Sequence, residues 1–162
     1  MLSEKLADAM NTQINAELYS AYLYLSMQTW FDATGLPGCS GWMRAQAKEE
    51  FSHADRLWRL MTERGARVTM TAIDAPATEW ASPLAVFEAV YAHEQKVTSL
   101  IKALAELAAA EKDQATVDAL QWFIDEQEEE EESAEAVVRK LKDAGDSTDR
   151  LAAVDRELGA RG

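Results

Sequence analysis

The sequence predicts an all-α fold: a four-helix bundle with one long crossover loop, followed by a short C-terminal fifth helix. Only 3 prolines and 7 glycines occur among 162 residues, whereas Ala, Leu, Glu and Gln, which favour helix, are plentiful. These few helix-breaking residues divide the chain into four long runs and one short run. Segment 66–81 contains β-branched residues and a proline without a clear period, so we expect a loop there.

The first two long runs predict helices over residues 3–32 and 39–64. No Pro or Gly interrupts the first run, and Ser3 at its start is suited to cap the helix. The stretch "ATGLPGCS" then breaks the helix, and Gly65 ends the second run.

The next two long runs predict the third and fourth helices. Ser82 and Pro83 fit the N-cap and first position of a helix that continues to about residue 109. After a tight turn at "AEKD", the fourth helix is predicted over about 113–143, and Gly145 closes it.

A short fifth helix is predicted over residues 147–158, with Ser147 or Thr148 as its N-cap. Short turns near residues 36 and 111 make the helices antiparallel neighbours in two pairs. A helix of about 28 residues is about 42 Å long, and a loop of about 15 residues can span about 50 Å. The loop can therefore cross the bundle, and because no internal repeat or linker occurs, we expect a single domain over 1–162.

Composition and charge exclude several classes of protein. A net charge of −13 argues against nucleic-acid binding, which needs a basic surface, and fits a protein that handles cations. Cys39 is the only cysteine, so neither an intrachain disulfide nor a CxxC site can form, which is consistent with a reducing cytoplasm. The sequence contains no run of about 18 apolar residues, so we expect no membrane span. We also expect no secretion signal, because "MLSEKLADAM" lacks the apolar region of one.

Each of the four long helices carries a polar residue where its apolar stripe should continue. At about 100° per residue, these residues share a face with buried-type side chains such as Met10, Leu57, Ile101 and Leu120. All of them also lie about 15–19 residues from the nearer of the two short turns, which places them near the middle of the bundle. The six residues are Glu17, Glu50, His53, Glu94, Gln127 and Glu130.

Four carboxylates in one buried layer need a compensating positive charge. Burying one unpaired carboxylate costs several kcal/mol or forces it to take up a proton. The lysines and arginines nearest in sequence point away from the stripes, so we expect no internal Lys or Arg at this level; they are Lys48, Arg56, Arg59 and Lys96. Two divalent cations would balance four carboxylates, and mixed carboxylate and imidazole ligands suit Fe²⁺ or Mn²⁺, with Zn²⁺ as a competitor.

Each of these residues also has a simpler explanation when it is taken alone. A single Glu in an apolar stripe is usually a helix-edge residue that reaches water. His53 alone is more often a hydrogen-bonded core histidine, and Gln127 fits a core amide. The coincidence of all six on four helix faces at one height favours metal binding. The Glu-x-x-His pair at Glu50 and His53 is, in addition, typical of di-iron helical bundles.

These motifs, together with the order of the helices, resemble the ferritin family, specifically the non-haem bacterial ferritins. The resemblance covers almost the whole chain. The stretches that carry it are "NAELYSAYLYLS" with Glu17 and Tyr24, "KEEFSHA" with Glu49, Glu50 and His53, "YAHEQKV" with Glu94, and "DEQEEEE" with Glu126, Gln127, Glu129 and Glu130.

The resemblance implies a di-iron centre. Glu17, Glu50 and His53 would hold one iron, and Glu50 would bridge to a second iron that Glu94 also binds. On the same basis, position 52 is Ser where bacterioferritins would have their haem-binding methionine, so we expect no haem.

Further residues enter the site only through the resemblance. Gln127 and Glu130 would lie beside the second iron, and Tyr24 would donate a hydrogen bond near the pair. A third iron, typical of the bacterial branch, would use Glu49, Glu126, Glu129 and Glu130.

The activity that the resemblance implies is iron storage with ferroxidase activity. Fe²⁺ would be oxidised to Fe³⁺ by O₂ or H₂O₂ and kept as ferric mineral in a 24-subunit homo-oligomeric shell in the cytoplasm. Alternatives are a rubrerythrin-like di-iron peroxidase without mineral storage, a DNA-protecting mini-ferritin, and a non-catalytic shell subunit or scaffold with protonated core acids. One departure is Gln127-x-x-Glu130, where bacterioferritin-like and rubrerythrin-like bundles have a second Glu-x-x-His.

Residues 125–135 hold eight acids, and helical phase separates six of them into two groups. Those on the apolar stripe or flanking it belong to the predicted metal centre. Glu128, Glu131 and Glu132 point mostly away from the stripe, so we expect them to form a solvated acidic face.

Overall fold

The computed structural model describes residues 1–161, and its elements are five helices. No strand occurs within that range, which confirms the all-α fold and the predicted order of helices. Gly162, the last residue of the predicted domain, lies outside the described residues. The helices are α1 (Glu4–Thr34), α2 (Pro37–Glu63), α3 (Pro83–Ala110), α4 (Gln114–Ala144) and α5 (Thr148–Gly159).

Serine side chains cap three of the five helices. The hydroxyls of Ser3, Ser82 and Ser147 each accept a hydrogen bond from the backbone N–H three residues further on, at 3.2, 3.1 and 3.3 Å. These bonds satisfy donors that the first turn of a helix leaves free. Ser147, and not Thr148, is therefore the cap of α5.

The turn between α1 and α2 is shorter than the sequence predicted. Only Gly35 and Leu36 separate the two helices, so α1 ends two residues later and α2 begins two residues earlier than expected. Gly35 has a φ of 76°, a left-handed conformation that glycine adopts without strain. Pro37 occupies the first turn of α2, where its missing N–H costs nothing.

The segment between α2 and α3 runs beside α1 and is held there by side chains of that helix. Asn11 accepts a hydrogen bond from the Thr69 backbone N–H at 2.8 Å. Further along α1, Ser26 donates to the Ala77 carbonyl at 2.6 Å. The loop therefore follows α1 for about four turns, as a crossover connection requires.

Two apolar clusters occupy the two halves of the bundle, and the buried polar residues lie between them. In α1, Ile14 belongs to one cluster and Leu23 to the other, with Glu17 between them. In α3, Glu94 separates Val90 from Val97 in the same way. Pairing of α1 with α2 and of α3 with α4 brings these interruptions to one level, which we call the polar layer.

Within residues 1–161, no helix combines the length and the apolar character that crossing a bilayer requires.

Candidate metal centre

Six ligand-type side chains from four helices converge in the polar layer. They are the residues that helical phase places on the apolar stripes, and each is nearly inaccessible to solvent. Their exposed fractions are 1% for Glu17, 0% for Glu50, 3% for His53, 1% for Glu94, 2% for Gln127 and 6% for Glu130.

Three groups of three side chains have ligand atoms close enough to share a cation, and in two of these groups all members belong to the six buried residues. Glu17, Glu50 and His53 each offer one atom within 4.8 Å of the others. Glu50, Glu94 and Glu130 form a second group by the same measure. Glu50 belongs to both groups, so its carboxylate would be shared if each group held a cation.

Two carboxylate oxygens of the first group lack hydrogen-bond partners among the described residues. These atoms are Glu17 Oε2 and Glu50 Oε2, both buried. His53 Nδ1 lies 3.3 Å from Glu50 Oε2 without making a hydrogen bond. A buried polar atom without a partner is costly, and a cation between these atoms would remove that cost. The donor set therefore fits divalent metal ions.

Burial raises the pKa of the carboxyl groups of the polar layer. The pKa of Glu17 rises from 4.5 to about 7, chiefly through loss of solvent. The pKa of Glu130 rises to about 8 through burial and then through the charge of Glu94. Burial also raises the pKa of Glu50, well above its ordinary value, and that of Glu94. Without a cation, the layer therefore holds protons at neutral pH.

The pKa of His53 shifts in the opposite direction, and burial is again the main cause. Burial lowers the pKa of its imidazole, which keeps the ring neutral, the form that binds metals. The ring packs edge-on against Trp122 and Phe123, with centroids 5.6 and 6.1 Å away. These contacts fix the plane of the ring while Nδ1 faces Glu50.

Glu94 is held by two donors from other helices. Gln127 Nε2 donates to its Oε2 at 3.1 Å and to its backbone carbonyl at 3.2 Å. Tyr24 donates its hydroxyl hydrogen to the other oxygen, Oε1. Burial raises the pKa of Tyr24 well above its ordinary value, so the phenol stays a donor. Glu94 is thus oriented before any cation arrives.

Comparison with known proteins decides the family. Residues 7–144 match the Ferritin-like domain family. The chain belongs to the ferritin family.

Relatives and solved structures match along the full length of the chain. A bacterial non-heme ferritin from Bacteroides fragilis (strain 638R) is 45% identical over 99% of this chain and 100% of its own. A bacterial non-heme ferritin from Staphylococcus saprophyticus subsp. saprophyticus is 40% identical over 99% of this chain and 96% of its own. An open pore ferritin from the archaeon Archaeoglobus fulgidus is 51% identical, with complete coverage of both chains and a TM-score of 0.99. The predicted resemblance to non-haem bacterial ferritins is confirmed.

Gln46 is a residue of this ferritin site that the sequence-based prediction missed. It is fully buried, and its Nε2 donates to Glu50 Oε1 at 3.2 Å and to Glu130 Oε2 at 2.6 Å. The sequence contains a signal that could have identified it. Gln46 precedes Glu50 by one helical turn and therefore lies on the same apolar stripe of α2.

Arg161 reaches the edge of this level of the ferritin bundle from outside, and 27% of its side chain remains exposed, so it is not an internal Lys or Arg of the kind that the prediction excluded. The Nη2 of Arg161 donates to Gln46 Oε1 at 2.9 Å and to Glu49 Oε2 at 3.0 Å. The prediction considered only residues on the four long helices. Arg161 comes from beyond α5, and only the packing of that helix brings it here.

The residues predicted for a third iron are brought together only in part. Glu126 and Glu130 offer ligand atoms within 4.8 Å of one another and of His53. Burial raises the pKa of Glu126, as do the nearby charges of Glu129 and Glu49. Glu49 itself is exposed and paired with an arginine, and Glu129 is exposed.

The predicted acidic face is confirmed for two of its three residues. Glu128 and Glu132 are exposed. Glu131 is half-buried, and its Oε2 accepts a hydrogen bond from Thr98 at 3.0 Å. The placement of Glu131 on a solvated face is therefore wrong, because α3 approaches α4 closely enough to cover that side chain.

Proposed function

We propose that this ferritin oxidises Fe²⁺ to Fe³⁺ at a di-iron site in the polar layer and stores the product as ferric mineral. The observation that carries the proposal is the position of Glu50, which belongs to two ligand groups and has one buried oxygen without a hydrogen-bond partner in the described part of the chain. In the metal-free protein Glu17 and Glu50 can share a proton, and a cation bound between them would replace it.

The side chains of the layer divide into two sets of ligands for the iron substrate. Glu17, Glu50 and His53 bind the first Fe²⁺, and Glu50, Glu94 and Glu130 bind the second. Binding displaces the protons that burial keeps on the carboxyl groups. Carboxylate oxygens prefer the higher charge of Fe³⁺, so the same ligands favour loss of one electron from each ion to O₂ or H₂O₂.

The remaining residues orient the ligands or accept iron after oxidation. Tyr24 and Gln127 hold Glu94 as described above. We propose a third iron position at Glu49, Glu126, Glu129 and Glu130, a 24-subunit homo-oligomeric shell for the mineral, and a single ferritin-like domain over the whole chain. The similarity to bacterial non-heme ferritins supports these proposals and a protein without haem.

The test combines a size measurement with aerobic addition of Fe²⁺ to the assembled protein. We expect a large shell that takes up far more iron than two or three ions per chain. Glu50→Ala and His53→Ala should still assemble but oxidise Fe²⁺ at least about a hundredfold more slowly, because each removes a ligand. Glu128→Ala, which removes an exposed acid from α4, is the matched control.

Two outcomes of this test would contradict the proposal. Rates equal to those of the unchanged protein in both ligand variants would remove the di-iron assignment. Rapid consumption of peroxide with no accumulation of mineral would favour the di-iron peroxidase instead.

A further inference from the structure

Arg161, which follows α5, reaches the edge of the polar layer from outside the four-helix bundle. The guanidinium of Arg161 lies 4.5 Å from the centre of the Trp42 ring, in cation–π contact. Its Nη2 also donates to Gln46 and Glu49. With only 27% of the side chain exposed, Arg161 is held by three partners on one helix, α2.

Gln46 connects this arginine to two of the proposed iron ligands. Its amide oxygen accepts from Arg161, which turns the amide nitrogen toward the carboxylates. That nitrogen donates to Glu50 on α2 and Glu130 on α4. An amide has one acceptor end and one donor end, so a bond at the oxygen fixes where the nitrogen points. Gln46 therefore sets the spacing between carboxylates of two helices.

The docking of α5 explains why Arg161 arrives at this place. Asp155 of α5 accepts a hydrogen bond from the Cys39 backbone N–H at 2.8 Å, at the first turn of α2. A Cβ on Gly38 would lie 1.6 Å from the Asp155 carbonyl oxygen, and a Cβ on Gly159 would lie 3.2 Å from Gly38 Cα. The two helices thus touch through their backbones, and the chain leaves α5 two residues before Arg161.

We propose that Arg161 is a positioning residue for the di-iron site, which acts through Gln46 to hold Glu50 and Glu130 in the orientation that receives the second cation. The proposal rests on the proposed function above. Arg161 contacts neither the ligand oxygens of this pair nor the reacting atoms, so its effect is on geometry. Because it also holds Glu49, it occupies one carboxylate of the proposed third iron position.

Anaerobic titration of the assembled protein with Co²⁺ tests this role without any oxidation. Co²⁺ has visible absorption that reports the arrangement of its ligands. In Arg161→Ala, we expect the second Co²⁺ to bind about fivefold more weakly and its absorption to change. Arg161→Lys restores the charge but not the fork of donors, so it should recover only part of the affinity. Arg156→Ala removes the same charge from an exposed position of α5 and should match the unchanged protein.

A double-mutant cycle tests whether the effect passes through Gln46. If it does, Arg161→Ala should change the affinity for the second ion far less in a Gln46→Ala background than alone. Equal effects in both backgrounds, or a Co²⁺ titration and spectrum of Arg161→Ala that match Arg156→Ala, would overturn the proposal.

Failure of the positioning role can be told apart from failure of the proposed function. Glu50→Ala should lose binding of both Co²⁺ ions. If the unchanged protein bound no more Co²⁺ than Glu50→Ala, the di-iron site itself would be wrong. If the unchanged protein bound two ions and Arg161→Ala did the same with equal affinity, only the role of Arg161 would be wrong.

Discussion

Individual residues of the polar layer differ in how fully their polar atoms are satisfied. Glu94 accepts hydrogen bonds at both carboxylate oxygens, from Tyr24 and Gln127. Glu17 has a donor, Gln13, at one oxygen only, at 2.9 Å. Since one oxygen each of Glu17 and Glu50 has no hydrogen-bond partner within residues 1–161, those two are the places where a cation gains most from binding.

Gln127→Glu tests the reason for an amide beside Glu94. The new carboxylate has no N–H to give to Glu94, so the metal-free protein should lose about 1–3 kcal/mol of stability. The added negative charge should tighten binding of the second divalent ion. Thermal unfolding in chelator and titration with Co²⁺ measure the two effects. Gln95→Glu, at an exposed position of α3, is the control, and an unchanged affinity in Gln127→Glu would exclude Gln127 from the cation site.

At the scale of helices, the ends of the elements are tied together by polar contacts. Arg64, just after α2, donates to both carboxylate oxygens of Asp113, at 2.9 and 2.7 Å. Asp113 also caps α4 by accepting from the Thr116 backbone N–H at 3.0 Å, and the bond from Arg64 is the main reason that its pKa falls to about 2. At the opposite end, α5 joins α2 through the backbone contact at Gly38.

Gly38→Ala tests the docking of α5 on α2. The new methyl group would overlap the Asp155 carbonyl, so we expect α5 to be displaced at a cost of about 1–3 kcal/mol. Faster hydrogen exchange of the α5 amides and a lower unfolding temperature would report this change. Gly41→Ala, three residues along the same helix, meets nothing within 4 Å and should stabilise α2 by about 0.5–1 kcal/mol. Similar behaviour of the two variants would contradict the close approach.

For the whole molecule, the raised carboxyl pKa values connect stability to pH. Burial, the largest cause in each case, raises the pKa of Glu17 from 4.5 to about 7 and that of Glu130 to about 8. The folded metal-free protein therefore binds more protons than the unfolded chain. Its free energy of unfolding consequently falls as the pH rises through these pKa values. His53 and His93 change the stability in the opposite direction, because burial lowers the pKa of both from 6.5. The stability that they add on raising the pH is fully gained by about pH 6.5.

The metal-free protein should consequently unfold at a lower temperature at pH 8 than at pH 6.5. A divalent cation such as Zn²⁺ needs the carboxylates without their protons, so the metal-bound protein should gain stability over the same interval. Calorimetry with chelator and with Zn²⁺ compares the two. In Glu17→Gln/Glu130→Gln, the pH dependence of the metal-free protein should become shallower. A metal-free protein that grew more stable toward pH 8 would be inconsistent with protonated core acids.

The sequence by itself determined the four long helices and the phase of Glu17, Glu50, Glu94 and Glu130, because the 3.6-residue period is a property of each helix alone. It could also have found Gln46, one turn before Glu50. Only the tertiary structure decided that Gln46 bonds to Glu130, which is 84 residues away, and that Arg161, 115 residues beyond Gln46, donates to its amide oxygen. Those pairings depend on the axial alignment of neighbouring helices and on where α5 docks, and helical period carries no information about either.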